Sequence, residues 1–210
     1  MSEPAPSPAG GALYLRAKRL LDVVAAAAGL ALASPLLAAA AGAIRAESPG
    51  PVLYRQLRVG LDGETFEMLK LRTMIPDAEF VGAGLAVQEG DPRITRVGAL
   101  LRRLSLDELP NLLNILRGEM SLVGPRPTIP VQVAQYSERQ RARLTVKPGL
   151  TGWAQVHGRA SLPWSTRIEL DLEYVTRRSL ALDLRIIART VALVLGGRGL
   201  YKGASGGWGR

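Results

Sequence analysis

From Leu20 to Ile44 the chain is apolar at almost every position, broken only by Asp22 and Ser34. As one straight helix, roughly 25 residues at ~1.5 Å each would cover about 37 Å, enough to cross a bilayer core. Two details argue for a different path. Ser34-Pro35 sits near the middle of the run, and proline removes a backbone donor and crowds the preceding turn. The flanks are also alike in charge: Arg16, Lys18 and Arg19 before the run, Arg45, Arg55 and Arg58 after it. Basic flanks favour the cytoplasmic side, and both stay there if the segment dips into one leaflet and returns. The pattern predicts a helix-break-helix hairpin over residues 16–46, with the break at Ser34-Pro35. A spanning helix and a buried Ala-rich soluble helix are the alternatives. A cleavable signal peptide fits less well, because the apolar part is too long. Asp22 is expected at the membrane boundary, paired with Arg19 or Lys18.

The remaining pattern is that of a small domain over residues 47–195. A turn at Glu47-Ser48-Pro49-Gly50-Pro51 leads into a short strand, residues 52–56. Leu61-Asp62-Gly63-Glu64 reads as a hairpin turn, with residues 65–72 as its second strand. Residues 81–92 read as a loop, and residues 96–103, 111–116, 132–144 and 164–177 as helices. Gly118 marks the end of the second of these helices. Pro148-Gly149-Leu150-Thr151-Gly152 reads as a loop. Residues 182–195 have a narrow polar face of Asp183, Arg185 and Arg189, which fits either an amphipathic helix at a membrane interface or a core helix. Residues 1–15 read as a disordered tail and 196–210 as a mobile one.

Composition narrows the chemistry. The 210 residues include no cysteine and one histidine, His157. Cysteine nucleophiles, disulfides and Cys-based zinc sites are excluded, and so is a cluster of histidine ligands. The net charge of +9 points to an anionic partner: nucleic acid, lipid head groups or a phosphorylated small molecule.

Against that charge, Asp107-Glu108 stands out. Arg102 and Arg103 precede it, and Arg117 and Gly124-Pro125-Arg126-Pro127 follow. Two adjacent carboxylates among cations point to a site that holds phosphate together with a metal or a nucleophile. The plainer alternative is a capping box, Ser105-x-x-Glu108, but Pro110 would then fall inside the helix. Arg126 lies between two prolines that stiffen its loop, which suits bidentate phosphate binding, though a surface turn reads the same way. Alternation places Lys70 and Arg72 on one strand face, where either could reach a phosphate.

Taken in order, a set of stretches resembles the bacterial sugar transferase family, the small monotopic phosphoglycosyl transferases. They are Lys18-Arg19-x-x-Asp22, the run with Ser34-Pro35, residues 50–56, residues 66–74, residues 91–95, Leu101-Arg102-Arg103, Asp107-Glu108-Leu109-Pro110, residues 120–127, residues 147–152 and Gln155-Val156-His157-Gly158-Arg159. Each is weak alone, and the ordered set is specific. His157 stands where the family often has asparagine. The resemblance implies an α/β, mostly helical fold: a re-entrant membrane helix on a small globular part with short strands and interfacial amphipathic helices. It implies transfer of a sugar 1-phosphate from a UDP-sugar to a polyprenyl (undecaprenyl) phosphate, with release of UMP, as the first membrane step of polysaccharide assembly. By the same resemblance Asp107 is the nucleophile, forming an aspartyl phosphosugar, and Asp107 and Glu108 hold Mg²⁺. Lys70, Arg72, Arg102, Arg126 and Arg159 are the expected phosphate ligands. The implied partners are the two substrates and membrane lipid, not nucleic acid. The implied location is the cytoplasmic face of the bacterial inner membrane. An interfacial helix of this kind could pair two copies into a homodimer.

Overall fold

The computed structural model describes residues 6–81, 90–158 and 161–196. It is mostly helical, with four short strands among the described residues. The first element, α1, spans Ala12–Glu47 without interruption. The tail expected through residue 15 therefore ends sooner, and Ala9 N–H already donates to Val175 O at 2.9 Å. The expected break at Ser34-Pro35 is absent as a gap in the helix, and the reason is local. Pro35 cannot supply the N–H that Ala31 O would receive, but the Ser34 hydroxyl donates to that same carbonyl at 2.8 Å. Serine thus satisfies the group that proline orphans, and the helix continues.

Both halves of α1 are fastened to the same globular body. Near its start, Arg19 donates to Ile115 O and Leu116 O at 2.6 and 2.9 Å. Asp22 accepts from Leu122 N–H at 2.9 Å, and Lys18 pairs with Asp183 at 2.9 Å. The expected pairing of Asp22 with Arg19 or Lys18 is thus replaced by longer-range bonds. Near its end, Ala40 and Ile44 pack on Leu71 and Leu101, and Glu47 accepts from the N–H groups of Arg96 and Val97. Between these anchors the helix is largely bare: Leu32 is 83% exposed, and Ser34, Pro35 and Leu36 are exposed.

β1 (Leu53–Val59) and β2 (Thr65–Leu71) form an antiparallel hairpin in which Tyr54 faces Lys70 and Arg58 faces Phe66. Asp62 and Gly63 take left-handed conformations in its turn, which asparagine-like and glycine residues tolerate best. α2 (Arg96–Arg103) starts at Thr95, whose hydroxyl accepts from Gly98 N–H. A Cβ at Gly98 would lie 2.0 Å from Thr73 O, so only glycine lets α2 seat on the exit of β2. α3 (Asn111–Arg117) ends at Gly118 in the left-handed conformation, as the sequence indicates.

β3 (Ser121–Val123) pairs in parallel with β4 (Gly149–Thr151), inside the stretch expected to be a loop. The single helix expected over 132–144 is instead α4 (Pro130–Val133), α5 (Glu138–Arg141) and a 3₁₀ turn, Ala142–Thr145. Ser137 forms a capping box with Gln140 that restarts the chain at α5, which splits the segment. α6 (Trp153–Val156), α7 (Trp164–Arg177) and α8 (Leu180–Leu195) complete the described chain. The core lies between α1, α3 and the hairpin, around Ala26, Phe66, Met68, Leu112, Ile115 and Met120. Asp183 is not on an open polar face of α8. It is buried, accepting from Tyr14, Lys18 and Tyr174, and so fastens α8 to α1 and α7.

Candidate active site

Asp107 and Glu108 lie on a 3₁₀ turn, Leu106–Glu108, between α2 and α3. Ser105 enters it with φ of 56°, in the left-handed region that serine rarely occupies, and so redirects the chain sharply after α2. Ser105 makes no side-chain cap there, and Pro110 falls at the start of α3, so the capping-box alternative is absent. At three residues per turn the two carboxylates point in different directions.

Glu108 Oε1 accepts from Lys70 Nζ at 2.8 Å and from an Arg126 terminal nitrogen at 2.6 Å. Burial opposes its charge, but Arg126 and Lys70 prevail and hold its carboxyl well below the usual range. Asp107 is buried, and burial together with the charge on Glu108 raises its pKa, against the pull of Lys70, Arg102 and Arg126. Lys70 is itself lowered, mainly by burial, with Glu108 acting the other way. Neighbouring carboxylates driven in opposite directions are a recurrent arrangement where two acids have different tasks.

Each cation is fixed by its own support. Lys70 follows Leu69, whose N–H donates to Asn114 Oδ1 at 3.1 Å, while Asn114 donates to Glu67 O at 2.7 Å. Arg102 Nε donates to Thr73 Oγ1 at 2.7 Å, below the close α2 contact. Arg126 rides on the loop that leaves β3, and that loop is pinned to β4. Gly124 N–H donates to Thr151 O, and Gly149 N–H donates to Pro125 O, both at 2.9 Å. A Cβ at Gly124, Gly149 or Gly152 would fall within 2.4 Å of backbone atoms of the facing segment. The glycines of two separate motifs are thus one backbone-to-backbone contact.

Of the expected ligands, Lys70, Arg102 and Arg126 gather around the two carboxylates. Arg72 does not. β2 ends at Leu71, and the Arg72 guanidinium turns away to Ser48 O, Ser48 Oγ and Pro49 O, closing the turn after α1. Arg159 lies outside the described residues. Sequence reasoning missed Asn114, which looks like any polar residue in a short helix. It also missed Arg143 and Asp171, a buried ion pair behind the Arg126 loop, with Arg143 donating to Arg126 O at 3.1 Å. No local pattern marks that pair, because its members are 28 residues apart.

The donor set is all oxygen. Among the described residues no group of three or more acidic, histidine or cysteine side chains forms a cage. Mg²⁺ needs no such cage, since it commonly takes one or two carboxylates and completes its shell with phosphate oxygens and water. Asp107 and Glu108 fit that requirement.

The sequence pattern of the bacterial sugar transferase family matches residues 13–197. A UDP-glucose:undecaprenyl-phosphate glucose-1-phosphate transferase of Caulobacter vibrioides is 50% identical over 186 residues, covering 85% of this chain and 69% of that protein. An uncharacterized sugar transferase of Bacillus subtilis, EpsL, is 42% identical, covering 88% of this chain and 90% of that protein. A UDP-N-acetylgalactosamine-undecaprenyl-phosphate N-acetylgalactosaminephosphotransferase of Aeromonas hydrophila is 43% identical, covering 92% of this chain but 46% of that longer protein. With its ordered motifs, its paired carboxylates and these relatives, the chain belongs to the bacterial sugar transferase family.

Proposed function

We propose that this protein transfers a sugar 1-phosphate from a UDP-sugar to undecaprenyl phosphate, through an acyl phosphate on Asp107. The observation that carries the reading is the paired arrangement itself: a buried carboxylate beside a second one that is clamped by Lys70 and Arg126. In the first step an Asp107 oxygen attacks the phosphorus that bears the sugar. The bond from that phosphorus to the bridging oxygen breaks, and UMP leaves with the bond's electron pair. In the second step an oxygen of the polyprenyl phosphate attacks the same phosphorus and frees the carboxylate. Two anions must approach in each step, so fixed cations have to offset their repulsion. The gathering of Lys70, Arg102 and Arg126 around the two carboxylates supports that role for them. Mg²⁺, held by Asp107 and Glu108, would supply further charge neutralisation on the phosphate oxygens.

The acceptor is a lipid, and the long helix bears on how it is reached. α1 would be about 54 Å long if straight, apolar and bare through its middle, yet tied at both ends to one charged domain. A domain cannot lie on both sides of a bilayer, so these ties speak against a span; a bend of the continuous helix at Pro35, where the backbone ladder lacks one bond, would return it to the face it entered. Exposed leucines on α8, among them Leu184 and Leu195, support an interfacial seat for that helix. Cysteines introduced at Ala12 and at Ser48 should both react with an impermeant maleimide added from the cytoplasmic side of inverted vesicles. Labelling of Ser48→Cys alone would make α1 a span.

Burial and the charge on Glu108 raise the pKa of Asp107 in the metal-free protein, while a bound Mg²⁺ would act in the opposite direction. Without Mg²⁺ the Asp107 carboxyl, followed by NMR, should titrate above the ordinary aspartate value of 3.8, and titration at or below that value would refute the raised pKa. The activity as a whole is tested by UMP release from a panel of UDP-sugars, with and without undecaprenyl phosphate.

A further inference from the structure

Arg58 has no task in the reaction as described. Residues 54, 56 and 58 of β1 share the hairpin face that carries Lys70, since Tyr54 stands opposite Lys70. Arg58 is half-buried, and its bonds all go to neutral oxygens. Its Nε and one terminal nitrogen donate to Gln56 Oε1, and the other donates to Pro127 O at 3.0 Å. Among the described residues no ion pair joins it to a carboxylate. Arg126, next along the chain from that Pro127 carbonyl, is the strongest charge acting on it and has the same sign, while Glu108 acts more weakly.

This arrangement is costly in the free protein. A half-buried guanidinium is held in one orientation beside another cation, with only neutral acceptors to compensate it. An anion bound between the two would relieve that cost. Planar guanidinium groups with fixed forks are suited to phosphate oxygens. Four residues of strand separate Arg58 from the level of Lys70, about 13 Å of backbone. That is too far for both to serve one phosphoryl group from the strand alone, and Arg126 lies between their reaches.

We propose that Arg58 is a further phosphate-binding residue of this site, held ready by Gln56 and the Pro127 carbonyl, which takes a phosphate other than the one Asp107 attacks. The chemistry is a phosphate oxygen on a guanidinium fork. Its source is either the nucleoside-side phosphate of the donor or the phosphate of the lipid acceptor. The proposal rests on the reading of Asp107 as the attacking group.

The test separates the two half-reactions in full-length, detergent-solubilised protein. Formation of the Asp107 acyl phosphate with UDP-sugar alone reads the donor, and its discharge by undecaprenyl phosphate reads the acceptor. Arg58→Gln should raise the KM of one of these by ~10-fold or more, with a smaller change in kcat, and Arg58→Lys should recover part of the loss. Stabilisation of the fold by inorganic pyrophosphate, measured as a shift in Tm, should shrink in Arg58→Gln. Arg55→Gln, on the opposite face of the same strand, should change none of these. Unchanged KM values for both substrates, or a loss confined to kcat and equal in the Gln and Lys variants, would overturn the proposal. If Arg58→Gln does not fold, the Lys variant decides by the same KM and Tm readings. If the wild-type protein forms no acyl phosphate, the reading of Asp107 fails instead, and the pyrophosphate shift alone decides whether Arg58 binds phosphate.

Discussion

Asp107→Asn is expected to abolish formation of the acyl phosphate and to lower UMP release by at least ~10³-fold, about 4 kcal/mol of barrier. The amide has nearly the same shape as the carboxylate but forms no acyl phosphate in this way. The variant should nonetheless fold at least as well as the wild type. Asp107 is a buried carboxylate whose pKa is raised by burial and by Glu108, so its charge opposes folding at neutral pH. A group with a raised carboxyl pKa is least favourable above that pKa, and a neutral amide removes the penalty there. Loss of activity together with an unchanged or higher Tm would mark a residue kept for chemistry at the expense of stability. Turnover close to wild type would remove Asp107 from the mechanism.

The largest effect on stability is expected from Asp171→Ala. Asp171, on α7, pairs with Arg143, and both side chains are almost fully buried. The Arg143 guanidinium also donates to the Tyr136 hydroxyl and lies 5.5 Å from the centres of the Tyr136 and Trp164 rings. Removing the carboxylate leaves a buried cation without its counter-charge, which costs about 3–5 kcal/mol. For a chain of this size that corresponds to a fall in Tm of about 10 °C. Arg143→Met in the same background should recover much of the loss, because the unpaired charge is then gone too. Activity should decline with Asp171→Ala as well, since Arg143 holds the carbonyl of Arg126. A Tm within about 2 °C of wild type would show that water reaches the pair and that its burial is only apparent.

Much of the site is legible in the sequence because its elements are short and locally encoded. Gly118 and the apolar spacing along 164–177 mark a helix end and a helix face, and they position α3 and α7. Asp107, Glu108, Lys70, Arg102 and Arg126 stand out as charges in a definite order, and the fold gathers them. What the sequence hides depends on distant contacts. β3 and β4 have three residues each and pair across a separation that no local periodicity reveals. Arg72 looks equivalent to Lys70 until the strand ends one residue earlier and the side chain turns to Ser48. Lys18 lies one helical turn before Asp22 yet pairs with Asp183, 165 residues away. The Ser34-Pro35 step shows both the proline and a hydroxyl able to satisfy the backbone that proline leaves unpaired, but not which effect wins; the hydroxyl bonds Ala31 O and the helix is continuous.

In the proposed reaction one side chain carries the sugar phosphate transiently. Intact-protein mass spectrometry after mixing with a UDP-sugar, in the absence of lipid acceptor, reads this directly. The expected spectrum gains the mass of one hexosyl phosphate, located by peptide mapping to Asp107 and discharged when undecaprenyl phosphate is added. UMP release at full rate without any such adduct, or an adduct that maps elsewhere and persists in Asp107→Asn, would contradict it.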